Sequence, residues 1–457
     1  MPDAETDPHS TAVDGAEQDG VDLADFGLFD PVVQQCPHAY YRQMQREAPV
    51  FAAEAPGGAL HLVTRYDDVN EMVRDTTTFS NRFDTSGSNY NTELVRRMKE
   101  LYETEGGYPR IGTMLTVDPP DHTRYRRLVT KAFTPKVIGD LEPLIRAICA
   151  RLADDLVARS AAGGAVDFVE TFAVPLPVTV IAKALNVPDD RLADFKRWSD
   201  ASIAGIGTNI SIDQRIDAER EVIAFQKYFA EQLELRRSAP QDDILTNLLR
   251  ARVEREDVGP EGQPLDPSPL NMGEMLSIIQ QLLVAGNETT TKMLTEMMRL
   301  LGENPDQWHR LRADPGRARN VVEESLRLST PTQGMFRIVT ADAQVADTAL
   351  HAGDRTVVMY AAANRDPSVF PDPDRFDPDR DNVTSHLAFG KGIHFCLGAA
   401  LSRLEGKVAA EELAARLPSF TLADDNTYRY HPSFMLRGLV ELRLHVGAAD
   451  SVGAADS

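Results

Sequence analysis

The stretch NMGEMLSIIQQLLVAGNETTTKMLTEMMRLLG, Asn271 to Gly302, repeats apolar side chains at three- and four-residue spacing, the mark of a helix with a buried face. At roughly thirty residues it far exceeds the globular mean of about eleven or twelve. A helix of that length crosses the interior of a domain, and the rest of the chain has to be built around it. A membrane span is not expected. Gln280 and Gln281 interrupt the most apolar run, MLSIIQQLLVAG, and no run approaches the ~18 to 20 apolar residues that a bilayer crossing needs.

Other segments share the helical period, among them IGDLEPLIRAICARLADDLVAR and DAEREVIAFQKYFAEQLELRR. Cys149 lies on the apolar stripe of the first and is expected in the core. Strand signals are short: PVFAAE and ALHLVTRY flank APGG, which reads as a hairpin turn, and DRTVVMY and LVELRLHV follow much later. The expected class is mainly α with small β-sheets (α+β). No linker interrupts residues 21–446, which are expected to form one domain. Residues 1–20 are acidic and poor in large apolar side chains, without the features of a signal peptide. With the tail 447–457, within the repeat VGAADSVGAADS, they are expected to be disordered extensions. A net charge of −22 argues against a nucleic-acid partner. Three cysteines, Cys36, Cys149 and Cys396, are too few and too scattered for a disulfide framework or a thiolate cluster. A cytoplasmic location fits them.

Why one of those cysteines stands in AFGKGIHFCLG is the functional question. A helical pattern, LGAALSRLEGKVAAEELAARL, follows Cys396 and stops at Pro418. Cys396 therefore lies at a helix N-terminus, where unpaired amides and the macrodipole favour thiolate over thiol. Gly390 and Gly392 allow positive φ and close backbone approach, as a tight loop pressed against a flat ligand requires. Phe389 supplies an apolar wall against water. The series Phe389, Gly390, Gly392, His394, Cys396 and Gly398 resembles the haem-binding signature of the cytochrome P450 family, the haem-thiolate monooxygenases. The resemblance implies that fold, with the long central helix over the haem. It also implies haem b (iron protoporphyrin IX) as cofactor, Cys396 as the axial iron ligand, and His394 as a residue touching a haem propionate. A thiolate ligand pushes electron density toward the iron and favours cleavage of the O–O bond.

Three further stretches match the family. In AGNETT, Gly286 weakens the helix interior and the Thr289 hydroxyl can bond the carbonyl of Ala285, which bends helices and opens a polar groove. By resemblance Glu288 and Thr289 deliver protons for dioxygen reduction, with Glu where Asp often stands, while Thr290 packs. In EESLR, Glu324 and Arg327 match a buried structural pair that a later arginine completes. Arg380 of FDPDR is preferred for that place and Arg375 of PDPDRF is its rival. In DPPDHTRYRRLV, His122 and Arg126 share a helix face. With Arg337 of MFRIV they match the positions that neutralise the propionates.

The chain shows no flavin or iron–sulfur module and no GxGxxG after a strand, so electrons are expected from a ferredoxin and an NAD(P)H-dependent ferredoxin reductase. Arg124, Arg127, Lys131, Arg403 and Lys407 are expected to form the basic patch that docks the ferredoxin. Residues around Ile111 to Leu115, Val284, Ala285, Gln333 to Phe336 and Phe434 to Leu436 are expected to wall the substrate pocket. Their apolar character suggests a hydrophobic small molecule such as a terpenoid, steroid, fatty acid or polyketide, hydroxylated or epoxidised with O2. A monomer is expected. Two other classes stay open: a peroxide-using haem-thiolate peroxygenase and a non-catalytic haem-binding sensor.

Overall fold

The long helix begins where its sequence can cap it. The Asn271 side chain accepts the Glu274 N–H at 3.0 Å, and the Glu274 carboxylate accepts the Asn271 N–H at 2.7 Å. This reciprocal pair satisfies two amides that the first turn leaves unbonded. The computed structural model describes residues 20–83, 92–130, 134–204, 206, 210–254 and 257–447. The expected extensions fall outside it, apart from Gly20 and Gly447.

Eight helices position the site: α1 (Asp121–Thr130), α2 (Glu142–Ala161), α3 (Pro175–Ala184), α4 (Leu192–Ile203), α5 (Ile212–Ser238), α6 (Met272–Glu303), α7 (Ala318–Ser329) and α8 (Ala399–Arg416). The long helix α6 serves two hydrophobic clusters. Its N-terminal half places Met275, Ile278, Ile279 and Leu283 with Trp198 of α4 and Phe225 and Phe229 of α5. Its C-terminal half places Met293, Leu294, Met297 and Leu301 with Leu152 of α2, Val322 of α7, and Val408 and Leu413 of α8. Each such side chain contributes about 1.5–3 kcal/mol by leaving water. Residues 284–292 of α6 belong to neither cluster, so the middle of the helix is a seam between two cores. That seam holds the AGNETT stretch.

The strands are β1 (Val50–Ala55), β2 (Gly58–Val63), β3 (Phe79–Ser80), β4 (Val166–Asp167), β5 (Met335–Val339), β6 (Ala343–Val345), β7 (Thr348–Leu350), β8 (Arg355–Val358), β9 (Ser419–Leu422) and β10 (Arg443–Gly447). A five-stranded sheet runs β1-β2-β8-β5-β3, with β2 and β8 parallel and the other pairs antiparallel. Its first hairpin turns through Pro56 and Gly57, and Gly57 at φ 83° takes the left-handed conformation the turn requires. Strands β4, β10 and β9 form a three-stranded sheet, and β6 pairs with β7.

The expected mainly α class with small sheets therefore stands. Two boundaries differ. The helix expected from Ile138 is broken into a short turn at Pro135–Gly139 and then α2, which restarts with Pro143 in its first turn. The strand expected over LVELRLHV begins only at Arg443, because the Leu442 N–H goes to the Asp167 carboxylate instead of a ladder partner. Cys149 is fully buried, as its stripe requires. Among the described residues no helix is long and apolar enough to cross a membrane.

Candidate active site

The loop from Leu387 to Gly398 is closed by its own backbone. The Gly390 N–H donates to Leu387 O at 2.8 Å, Phe395 N–H to Gly392 O at 3.1 Å, and Cys396 N–H to Phe389 O at 2.9 Å. Gly390 and Gly392 take φ of 63° and 68°. A Cβ on Gly392 would stand 2.8 Å from the Val73 carbonyl oxygen, so the loop can press on its neighbour only because that position is glycine. Gly398 is different. Its φ of −83° suits any residue, and it precedes α8 as the cap.

Helix α8 starts at Ala399, three residues past the cysteine. The amides act on the sulfur in the expected direction, but burial opposes them. Burial pushes the Cys396 thiol up, and the Gly398 and Ala399 amides with Arg126 and Arg403 only partly pull it back.

Polar groups without partners gather beside this loop. His122 of α1 is buried with both ring nitrogens unpaired, and His394 Nε2 is likewise unpaired. The two rings lie 4.3 Å apart. Burial first, then Arg126, lowers His122 to about 4. Burial first, then His122 and Arg337, lowers His394 to about 3. Both imidazoles are uncharged at neutral pH, so positive charge here comes from the arginines. Arg337 of β5 is 1% exposed, donates to Phe336 O at 2.6 Å, and leaves Nε without a partner. Arg126 donates to Phe395 O at 2.7 Å. The structure thus brings His122, Arg126, Arg337, His394 and Cys396 together from α1, β5 and the cysteine loop.

On α6 the Thr289 hydroxyl donates to Ala285 O at 2.8 Å, the bond its spacing predicts. Glu288 is turned elsewhere. Its carboxylate accepts from Lys292 Nζ at 2.8 Å, one turn along the same helix, and both side chains are buried. Burial would raise Glu288, but the Lys292 charge and hydrogen bond outweigh it and hold the carboxyl below its ordinary value. No hydrogen bond joins the acid to Thr289; beside the threonine stands a carboxylate–ammonium pair. Thr290 packs, as expected, bonding Ser402 of α8 at 3.3 Å. The Lys292 stem lies where a side chain on Gly438 would sit.

The Glu324–Arg327 pair is fully buried and bidentate, at 2.7 and 2.8 Å. Arg380 completes it, with Nε 3.0 Å from Glu324. The rival, Arg375, offers only its backbone carbonyl, to Arg327 and to Arg380, while its own side chain is exposed.

The expected basic docking patch is not a free cationic surface. Arg124 is buried against Glu274 at 2.9 Å. Arg127 pairs with Asp257, Arg403 with Glu323 at 2.6 Å, and Lys407 with Glu411 at 3.0 Å. Lys131 lies outside the described residues. The carboxylates that neutralise the three arginines are distant in sequence, whereas Glu411 is one helical turn from Lys407.

Of the expected pocket walls, Phe336 and Phe434 meet at 6.1 Å between ring centroids, and Gln281 reaches Thr113 at 2.5 Å. Gln333 belongs to the core instead: it is 1% exposed and bonds Ser329 O and Thr330 O.

Two residues with a clear part in the site went unread in the sequence. Glu323 and His386, 2.9 Å apart and buried, hold Arg403 with its guanidinium carbon 4.4 Å from the centre of the Phe389 ring. Burial opposes the charge on Glu323, but His386 and Arg403 hold it at about 2. Glu323 adjoins Glu324 in the same EESLR motif, which was the signal available.

The Cytochrome P450 family model matches residues 213–427. The chain is 37% identical over 435 residues to Cytochrome P450 107B1 of Saccharopolyspora erythraea, covering 93% of this chain and 99% of that one. This chain belongs to the cytochrome P450 family. It is 36% identical to the Erythromycin C-12 hydroxylase of the same organism, over 82% of this chain and 86% of that one. The solved structure of cytochrome P450 CYP109Q5 from Chondromyces apiculatus superposes with a TM-score of 0.77 at 36% identity, covering 93% of this chain and 99% of that one. The fold is that of a cytochrome P450, and the enzyme is a haem-dependent monooxygenase.

The residues present fit the family's cofactor. Among the described residues, no three His, Cys, Asp or Glu side chains are grouped to hold a metal ion. The unpaired nitrogens of His122, His394 and Arg337 are hydrogen-bond donors suited to the carboxylates that a haem carries.

Proposed function

We propose that this cytochrome P450 binds haem b through Cys396 and hydroxylates a hydrophobic small molecule of the macrolide, polyketide or steroid class. Electrons come from a separate ferredoxin and its NAD(P)H-dependent reductase, in the cytoplasm. The observation that carries the reading is the convergence of the partly exposed Cys396 with unpaired nitrogens on His122, His394 and Arg337. When bound, the haem supplies reductive activation of dioxygen and transfer of one oxygen atom to a C–H bond.

The protein's part is binding, orientation and proton supply. Arg337 and Arg126 bring the positive charge toward the propionates, and the uncharged His122 and His394 add directional donors. The Gly390–Gly392 turn sets the height of the loop, and Phe389, held by Arg403, shields the sulfur from water. The Thr289 hydroxyl spends its proton on Ala285 O, which leaves its lone pairs aimed into the seam to accept a hydrogen bond. Glu288 holds the nearest exchangeable charge, and Lys292 keeps it ionised until the pair separates. The apolar walls at Phe336 and Phe434, with the hydroxylase named among the relatives, support a bulky hydrophobic substrate.

The test combines a ligand library, scored by the shift of the iron from low to high spin, with turnover by ferredoxin, reductase, NAD(P)H and labelled dioxygen. Expected is one labelled oxygen atom in the product. Turnover with hydrogen peroxide alone, and none with the reductase chain, would instead establish the peroxygenase reading.

A further inference from the structure

Away from the cysteine loop, the helix His38–Glu47, the start of the helix Tyr66–Met72 and the loop after Tyr360–Ala363 enclose a cleft of about 390 Å³. It shares no residue with the candidate active site. Four arginines line it, Arg42, Arg46, Arg65 and Arg365, against two aspartates, Asp366 and Asp374. In a chain of net charge −22 this is a local excess of positive charge.

The carboxylates present do not balance it. Arg42 and Arg365 share the single carboxylate of Asp374. Asp366 is committed to the Tyr66 N–H at 2.9 Å and to the N–H and hydroxyl of Ser368. Arg65 donates from Nε to Gln45 O at 2.9 Å. Among the described residues neither Arg46 nor Arg65 has a carboxylate within 4.0 Å, the reach of an ion pair. His38 also lines the cleft, and its Nδ1 is buried without a partner. Burial and the surrounding Arg365, Arg437, Arg299 and Arg42 hold His38 well below its ordinary value. The ring is therefore neutral and available as a hydrogen-bond partner.

We propose that this cleft is a second ligand site, for a phosphate-bearing small molecule. Guanidinium groups match phosphate oxygens two at a time, in a geometry that a lysine patch cannot offer. The volume lies within the range of small-ligand sites, about 300–1,000 Å³, so it can take more than a bare ion. Tyr41, Pro367 and Pro373 provide an apolar wall for an attached organic body. The site also has a route to the cysteine loop. Asn364, next to Arg365, accepts the Leu387 N–H at 2.6 Å and its backbone carbonyl accepts from Arg327.

Calorimetric titration of the haem-loaded protein with inorganic pyrophosphate and with adenosine diphosphate, at fixed ionic strength, tests this. Saturable binding of both is expected, with the diphosphate nucleoside tighter if the apolar wall contributes. Arg46→Glu and Arg65→Gln should each weaken it by about tenfold or more, with the spectrum of the reduced carbon monoxide complex unchanged as proof of an intact fold. No saturable binding of either probe would overturn the proposal. Binding that survives both substitutions would overturn it too, because the ligand would then sit elsewhere.

Discussion

Arg327→Ala attacks the fold at its most heavily bonded charge. Arg327 and Glu324 are both 0% exposed. The guanidinium makes two bonds to Glu324 and three to the backbone carbonyls of Asn364, Pro373 and Arg375, at 2.9, 2.7 and 3.1 Å. Removing one partner of a buried ion pair costs about 3–5 kcal/mol, since the other charge stays buried. Glu324 keeps Arg380 and the Asp377 N–H at 2.9 Å, which offsets part of that cost. The two stranded carbonyls, of Asn364 and Pro373, add to it, because each unpaired buried polar group costs about 1–3 kcal/mol less whatever water regains, while the Arg375 carbonyl keeps its bond from Arg380. The expected loss is about 4 kcal/mol, a large share of a total stability of about 5–15 kcal/mol. Arg380→Ala should cost less, about 1–2 kcal/mol, since the bidentate partner remains. Arg375→Ala should fall within about 0.5 kcal/mol of the parent, because it removes only an exposed side chain. Urea unfolding reads all three. Trp198 and Trp308 report separately on the two hydrophobic clusters, and the visible band reports on the haem. An Arg327→Ala midpoint that matches the parent, or an Arg375→Ala loss as large as that of Arg380→Ala, would refute this reading of the cluster.

Three further outcomes are expected. Burial pushes Glu405 up to about 8, and its Oε2 has no partner. The folded state therefore keeps a proton that the unfolded state releases, and this contribution to stability is full below the unfolded pKa and drains away as pH rises through about 8. Glu405→Gln should flatten the stability profile from about pH 5 to 8 and exceed the parent near pH 8 by about 2–4 kcal/mol; parallel profiles would count against it. Gly392→Ala forces an L-residue to φ 68° with its Cβ against Val73 O. It should cost about 2 kcal/mol or more and reduce the haem content of the purified protein, whereas normal haem content would show that the loop can shift. Lys292→Met strands the buried Glu288 and should cost about 3–5 kcal/mol. Adding Glu288→Gln should recover most of that in the double variant, and failure to recover would mean the lysine acts through packing against Gly438 alone.

How far the sequence could be read depended on whether an interaction is local. The long helix, the glycines before Cys396, the Glu324–Arg327 spacing and the Thr289–Ala285 bond all lie within a few residues of each other, and their geometry follows from helical or turn periodicity. Even the Glu288–Lys292 pair has that spacing. The family pattern there points to the neighbouring threonine, not to the lysine. The partners of the basic patch were hidden for the opposite reason. Glu274 and Glu323 reach Arg124 and Arg403 only after helices pack, and Lys407–Glu411 is the one local contact of the three. The choice between Arg375 and Arg380 likewise needed the fold, since both follow a Pro-Asp pair and only one points inward.

The central claim is that the Cys396 sulfur is the ligand of a haem iron. The spectrum of the reduced protein under carbon monoxide tests it most directly. A strongly red-shifted haem band is expected for the parent, and in Cys396→His a band at the unshifted position of imidazole-ligated haem. A parent without pigment, or a red-shifted band that persists after Cys396 is replaced, would contradict the account.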